Sequence, residues 1–426
     1  MAEDCSVMPA RPLRRLVAAS ACLLSLLLFP QAASALSTAG WTVRGEAGSG
    51  PPTWTAPRAL SPVDPTVTWS DVDGAHWARE AIDFVAASNT WMRDSKPAAD
   101  GTFAFKPDGR ETRKLFARAL LRAFGAGLSP DPALLFPDLA AGDRFYEAAN
   151  VAVTAGWMTV DDLGAFRPRE SVTMREVHRA LVRAIGFGDL AEGADMLHLR
   201  NGTPIAVPQD FGTTLIGMRI GLRYNHADES LDVGPDSQLS RAEVAWSLYR
   251  AATVPTWMHD YLSPYLNFEL PNLGTKMQQV VTFAVRYVGY PYVWGGEWYE
   301  PAPSSYCCGY QPVGGFDCSG FLWWVMKSAV EGWDPTPLRG YPGWTLPQRT
   351  SASMASVGGQ IPWEELMPGD LLFYDGDQNG TVDHVNTYLG NGWAMDAGSG
   401  NAGATITSVA GNWYEDHFVH GRRITG

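Results

Sequence analysis

Apolar residues in the middle of the chain recur at helical spacing, in blocks that repeat. Leu115, Phe116, Ala119, Leu120 and Ala123 form one stripe, which predicts a helix over 112–125. Its segment RALLRAFG is echoed by RALVRAIG in a second helix expected over 173–186. Each is preceded by a turn, Phe103 to Pro107 and Gly164 to Pro168, and by a shorter helix expected at 76–87 and 145–155. The two units open 67 residues apart, on Trp69-Ser70-Asp71-Val72 and Phe136-Pro137-Asp138-Leu139. A third, degraded copy ends in Ser240-Arg241-Ala242-Glu243 and runs to Ala252. Thr112, Thr173 and Ser240 fall where helix N-caps belong. Repeats of this period read as two-helix units that share a core with their neighbours.

After Thr275 the pattern changes. Val280, Val281, Ala284, Val285 and Val288 mark one helix, and Cys318, Phe321, Leu322, Val325, Met326 and Ala329 mark another. Short apolar strands follow at 371–374, 385–389 and 393–396, giving an α+β domain of about 150 residues. The hairpin through Gly390-Asn391-Gly392 sets a register question. A two-residue Asn391-Gly392 loop would put Asp396 opposite Thr387, on the face away from His384. A three-residue loop puts it opposite Asn386, on the same face as His384, and this is the expected arrangement.

Composition narrows the class. Of 426 residues, 46% are hydrophobic and 18% charged, which excludes a wholly disordered chain and suggests several domains. The formal charge of −13 argues against nucleic acid as the main partner. Arg11, Arg14 and Arg15 precede an apolar run from Leu16 to Phe29 and the small residues Ala33-Ser34-Ala35. That pattern fits a secretory signal cleaved after Ala35, since fourteen apolar residues fall short of the roughly 20 that span a bilayer. An exported protein with no stable membrane span follows. Cleavage leaves Cys307, Cys308 and Cys318, an odd number in an oxidising compartment and too few for a disulfide framework. A vicinal Cys307–Cys308 disulfide and two free thiols both remain open.

Chemistry concentrates on Cys318. The sequence Gly315-Phe316-Asp317-Cys318-Ser319-Gly320 runs into a helical stripe, so the cysteine sits in a first turn, where unpaired N–H groups and the helix dipole favour thiolate over thiol. A thiolate nucleophile needs a base that later protonates the leaving amine. His384 and Asp396 are the candidates for base and orienting carboxylate.

Four ordered motifs, PYVWGG (291–296), FDCSGF (316–321), PGDLLFY (368–374) and HVNTYLGNG (384–392), resemble NlpC-type cell-wall cysteine peptidases over about 276–424. The resemblance implies a permuted papain-like fold and cleavage of murein stem peptides, most commonly at the bond between γ-D-glutamate and the following diamino acid. By motif position it implies Cys318 as nucleophile, His384 as base, Tyr292 near the nucleophile, and Asp317 and Ser319 lining the groove for the peptide's amino end. Asp396 departs from the family's usual His at the third position. The nineteen residues Glu297 to Gly315 are an insertion expected to wall the cleft.

The repeats resemble S-layer homology units over about 67–254, which implies anchoring to a secondary wall polysaccharide. Asp71, Arg113 and Arg241 are the candidate polymer contacts, since an Arg can pair bidentately with a carboxylate; helix-start roles are the alternative. The expected organisation is a signal peptide at 1–35, a flexible tether at 36–66 and helical repeats at 67–127, 134–188 and 204–254, then a linker at 255–274 and the peptidase domain at 275–426. The expected function is a secreted, wall-associated peptidoglycan hydrolase requiring no cofactor. A Cys-His amidase or transacylase and a non-catalytic wall-binding protein are the alternatives. Finally, Asp375, Asp377, Asn379, Thr381 and Asp383 follow the 1, 3, 5, 7, 9 spacing of a calcium loop with Gly380 at the sixth place. A weak calcium site and a solvated acidic turn both fit that spacing.

Overall fold

The computed structural model describes residues 41–42, 53–54, 66–298, 314–328, 348–398 and 403–423. The expected signal segment, nearly all of the tether, Cys307 and Cys308 lie outside the described residues. No described helix is long and apolar enough to cross a membrane. The chain divides into two compact units, one built mostly from residues up to Pro291 and one mostly from Tyr292 onward.

The first unit holds three helix pairs. They are α1 (Arg79–Ile82, continued by a π-helical turn Asp83–Ser88) with α2 (Arg113–Phe124), α3 (Tyr146–Thr154) with α4 (Met174–Ala184), and α5 (Phe211–Arg219) with α6 (Arg241–Thr253). Thr173 and Ser240 cap α4 and α6 through bonds from the Glu176 and Glu243 N–H groups. Thr112 occupies the same place on α2 but its hydroxyl caps nothing, because the chain there turns through backbone bonds to the Thr112 carbonyl.

The three pairs close on one another. The first two N–H groups of α2 donate to the Glu170 and Pro168 carbonyls, those of α4 to Ser237 and Pro235, and those of α6 to Gly109 and Pro107. At the centre, Glu111 N–H donates to Leu239 O (3.1 Å), Leu239 N–H to Val172 O (2.9 Å) and Val172 N–H to Glu111 O (3.0 Å). Each repeat therefore starts its second helix on the turn of the next one, and the third returns to the first.

This ring explains the two arginines expected to meet a wall polymer. Arg113 is 1% exposed; its guanidinium bonds Phe166 O, Thr159 O and the Glu176 carboxylate and lies over the Phe166 ring. Arg241 is 7% exposed and bonds Phe105 O (2.8 Å), Met92 O (3.1 Å) and Glu111 (2.6 Å) over the Phe105 ring. Asp71 accepts the Phe105 and Lys106 N–H groups, both at 2.8 Å, and fixes Lys106 at φ 62°. Asp138 does the same for Phe166 and Arg167. Both guanidiniums, the candidate polymer contacts, are buried and hydrogen-bonded between repeats.

The third junction is built differently. α4 begins with Met174 where α2 and α6 begin with arginine, while Arg223 stands where the other repeats place Met92 and Met158. Arg223 Nη1 reaches Val233 O at 3.3 Å, the carbonyl equivalent to Phe105 O and Phe166 O. Arginine and methionine have exchanged places across this junction.

In the second unit a buried helix packs on a sheet. Five neighbours of a six-stranded sheet are antiparallel in the order β4-β3-β2-β5-β1: β1 (Gln360–Ile361), β2 (Leu371–Tyr374), β3 (His384–Gly390), β4 (Trp393–Gly398) and β5 (Phe418–Arg422). Helix α7 (Cys318–Ser328) is buried from Cys318 to Met326 and packs on β3 and β4, which is what an element apolar on every side requires. Asp370 in the turn before β2 is 1% exposed and takes a bidentate bond from Arg423 just past β5.

Candidate active site

Cys318 is the first residue of α7 and is buried. Asp317 caps that helix, its Oδ1 accepting the Gly320 N–H at 2.5 Å. The same carboxylate accepts the Ser319 hydroxyl (3.0 Å), the Gly295 N–H (3.0 Å) and both terminal nitrogens of Arg349 (3.0 Å each), and Arg349 also donates to Ser319 Oγ at 2.8 Å. Five donors from this chain occupy Asp317 and tie it to the helix start. Arg349 escaped sequence reasoning because it sits about thirty residues from Asp317, outside all four motifs.

The glycines of two motifs touch through their backbones. Asp317 N–H donates to Gly296 O at 2.9 Å, and a Cβ on Gly320 would lie 2.0 Å from that same oxygen. Tyr292 pairs with Phe316 in a parallel bridge, two residues before Cys318. The turn after Tyr292 is thereby pinned to the start of α7.

His384 opens β3, and Asp396 lies in β4 with no exposure. The hairpin turn is two residues long: Gly390 pairs with Trp393, and Asn391 and Gly392 take φ of 52° and 76°, as a primed turn requires. This overturns the expected three-residue loop. The next pair is Tyr388 with Ala394, so Leu389 is bulged and shifts the register by one. Continuing from Thr387–Met395 puts Asp396 opposite Asn386, on the His384 face. His384 Nε2 and Asp396 Oδ1 are 2.8 Å apart.

The second oxygen, Oδ2, accepts the Tyr414 hydroxyl at 2.5 Å. Tyr414 lies in the short helix α8 (Trp413–Asp416), held by the Asn412 side chain accepting the Tyr414 N–H at 3.0 Å. Tyr374 supports the imidazole from below, with ring centroids 5.7 Å apart. Burial of the His384 ring opposes its charge, but the charge and hydrogen bond of Asp396, and those of Cys318, outweigh it and hold its pKa well above the usual 6.5. With Nε2 on Asp396, the bond to Cys318 falls to Nδ1. His384 thus stands between the Cys318 side chain and the buried Asp396 carboxylate.

The residues 289–423 that carry this arrangement match the model of the NlpC/P60 family. This stretch is an NlpC/P60 domain. The NlpC/P60 domain makes the chain 31% identical over 139 residues to murein DD-endopeptidase MepH of Escherichia coli (strain K12), covering 32% of this chain and 42% of that protein. It is 30% identical over 148 residues to the bifunctional muramidase/DL-endopeptidase CwlT of Bacillus subtilis (strain 168), covering 34% and 36%. Among solved structures, the P60 domain of the M. avium subspecies paratuberculosis antigen MAP1204 is 27% identical, with 35% of this chain and 94% of that chain covered and a TM-score of 0.26. The chain spans less than half the length of the curated relatives it matches. The NlpC/P60 domain has the papain-like fold of its family.

Next to His384, the Asp375, Asp377 and Asp383 carboxylates lie within 4.8 Å of one another. Asp375 accepts the Asn379 and Gly380 N–H groups at 3.0 and 2.6 Å. The Asn379 amide donates to Asp377 at 2.8 Å and its carbonyl accepts the Thr381 N–H at 2.8 Å. Those bonds close the loop on itself.

Proposed function

We propose that the chain is an exported, wall-anchored peptidoglycan hydrolase that cleaves murein stem peptides through Cys318. The observation that carries this reading is the line Cys318–His384–Asp396, with Asp396 bonded to His384 at 2.8 Å. The Cys318 thiolate attacks the scissile carbonyl, the imidazolium of His384 gives its Nδ1 proton to the leaving amine, and a thioester forms. Water then adds with His384 as base, releasing the carboxylate and regenerating the thiolate. Asp396 holds the ring and balances its charge. The relatives' names support a peptide bond of the wall, and a further relative, the gamma-D-glutamyl-L-lysine dipeptidyl-peptidase of Bacillus subtilis (strain 168), supports the bond between γ-D-glutamate and an L-diamino acid. The three-repeat ring supports an anchoring role as an S-layer-homology-like module for secondary wall polysaccharide, which would raise the effective concentration of substrate at the enzyme.

Mass spectrometry of purified sacculi digested with wild type and with Cys318→Ala tests this reading. New carboxylates on D-glutamate paired with new α-amino groups on the diamino acid are expected with wild type only. A new carboxylate on D-alanine paired with a freed side-chain amine on the cross-linked diamino acid instead would assign the bond of a DD-endopeptidase, and identical digests from both proteins would reject hydrolysis by Cys318.

A further inference from the structure

We propose that Tyr414 is a positioning residue that locks the Asp396 carboxylate in the plane His384 needs. Asp396 has no exposure, so each of its oxygens must find a donor inside the protein. Oδ1 serves His384 Nε2 at 2.8 Å and Oδ2 takes the Tyr414 hydroxyl at 2.5 Å. With both oxygens held, the carboxylate cannot turn about its χ2 bond. Tyr414 is itself fixed at both ends. Its N–H is capped by Asn412, whose amide donates to Ser408 O at 2.9 Å, and its ring meets Tyr374 edge-on at 5.3 Å. The imidazole lies against the same two rings, 5.7 Å from Tyr374 and 6.3 Å from Tyr414. A chain of contacts thus runs from Ser408 through Asn412, Tyr414 and Asp396 to the base. A carboxylate has two oxygens, and only one can face the ring.

The inference rests on the reading of Cys318 and His384 as a hydrolytic pair, and its test separates the two. Tyr414→Phe removes one oxygen and keeps the ring. In the full chain it should lower kcat on a soluble muropeptide about tenfold with KM unchanged, since orientation of the base is felt in the transition state. In an Asp396→Ala background the same change should cost nothing further, because the group it positions is gone. By NMR, the His384 titration should fall toward 6.5 in Tyr414→Phe, as the freed carboxylate turns from Nε2. Additive losses in the double variant, or an unmoved or raised His384 titration, would overturn the proposal. A silent wild type with a shifted titration would instead sink hydrolysis and leave the positioning role standing.

Discussion

His384 Nε2 and Asp396 Oδ1 meet at 2.8 Å because Leu389 is bulged out of the hairpin that carries both residues. The resulting ion pair has a signed pH dependence. The folded pKa of His384 lies well above 6.5, so the stability it contributes is fully present below pH 6.5 and is lost as pH rises through the raised value. The melting temperature of wild type should fall across that alkaline window, and Asp396→Asn should flatten the fall. The alkaline limb of kcat/KM should move to lower pH in Asp396→Asn. Asp396→Ala should lower kcat by about 10²–10⁴.

Arg349 fills a different need. It neutralises Asp317, which is 8% exposed and caps α7. Arg349→Ala leaves that charge buried and unpaired, which should cost about 3 kcal/mol in chemical unfolding of the C-terminal unit and most of the activity. Arg349→Lys should recover part of the stability but not the bidentate geometry.

Gly320→Ala is a one-methyl change expected to abolish the proposed hydrolysis. The added methyl would stand 2.0 Å from Gly296 O and 2.8 Å from Arg349 Nη2, so the PYVWGG turn must move off the helix start. Activity should vanish, and thiol labelling of Cys318 should speed up as the nucleophile loses its burial. Unchanged kinetics would show that the turn can retreat at no cost.

The exchanged arginine and methionine can be exchanged back. Arg223→Met alone strips the Val233 carbonyl of its donor and should destabilise the repeat unit by about 2 kcal/mol. Met174→Arg alone adds a second cation beside a buried one. The double variant restores the pattern of the other two junctions and should be more stable than either single variant, with a coupling of at least about 1 kcal/mol in thermal unfolding.

Sequence pattern made much of this legible. Apolar stripes placed α2 and α7, repetition of the first unit placed α4 and α6, and the strands of the hairpin fell where short apolar runs put them. The side of β4 on which Asp396 stands was also legible, yet the loop length behind it was not. Asn391-Gly392 makes the commoner two-residue turn, and a bulge at Leu389, which no local residue preference announces, supplies the missing shift. Arg349 and Tyr414 were invisible for another reason: their partners are remote in sequence, and neither belongs to a motif. The burial of Arg113 and Arg241 was not legible, because a guanidinium fork suits a buried carboxylate and carbonyl as well as it suits a ligand.

The three hydrogen bonds among Glu111, Val172 and Leu239 have a consequence for how this module can change over time. A stack of repeats has two free ends, so copies can be gained or lost there while the remainder stays folded. A closed ring has no end. Removing one helix pair would open two junctions at once, and adding a fourth would force every angle to change. The copy number of three is therefore fixed by closure itself, and the Met174–Arg223 exchange is a divergence that keeps the ring closed.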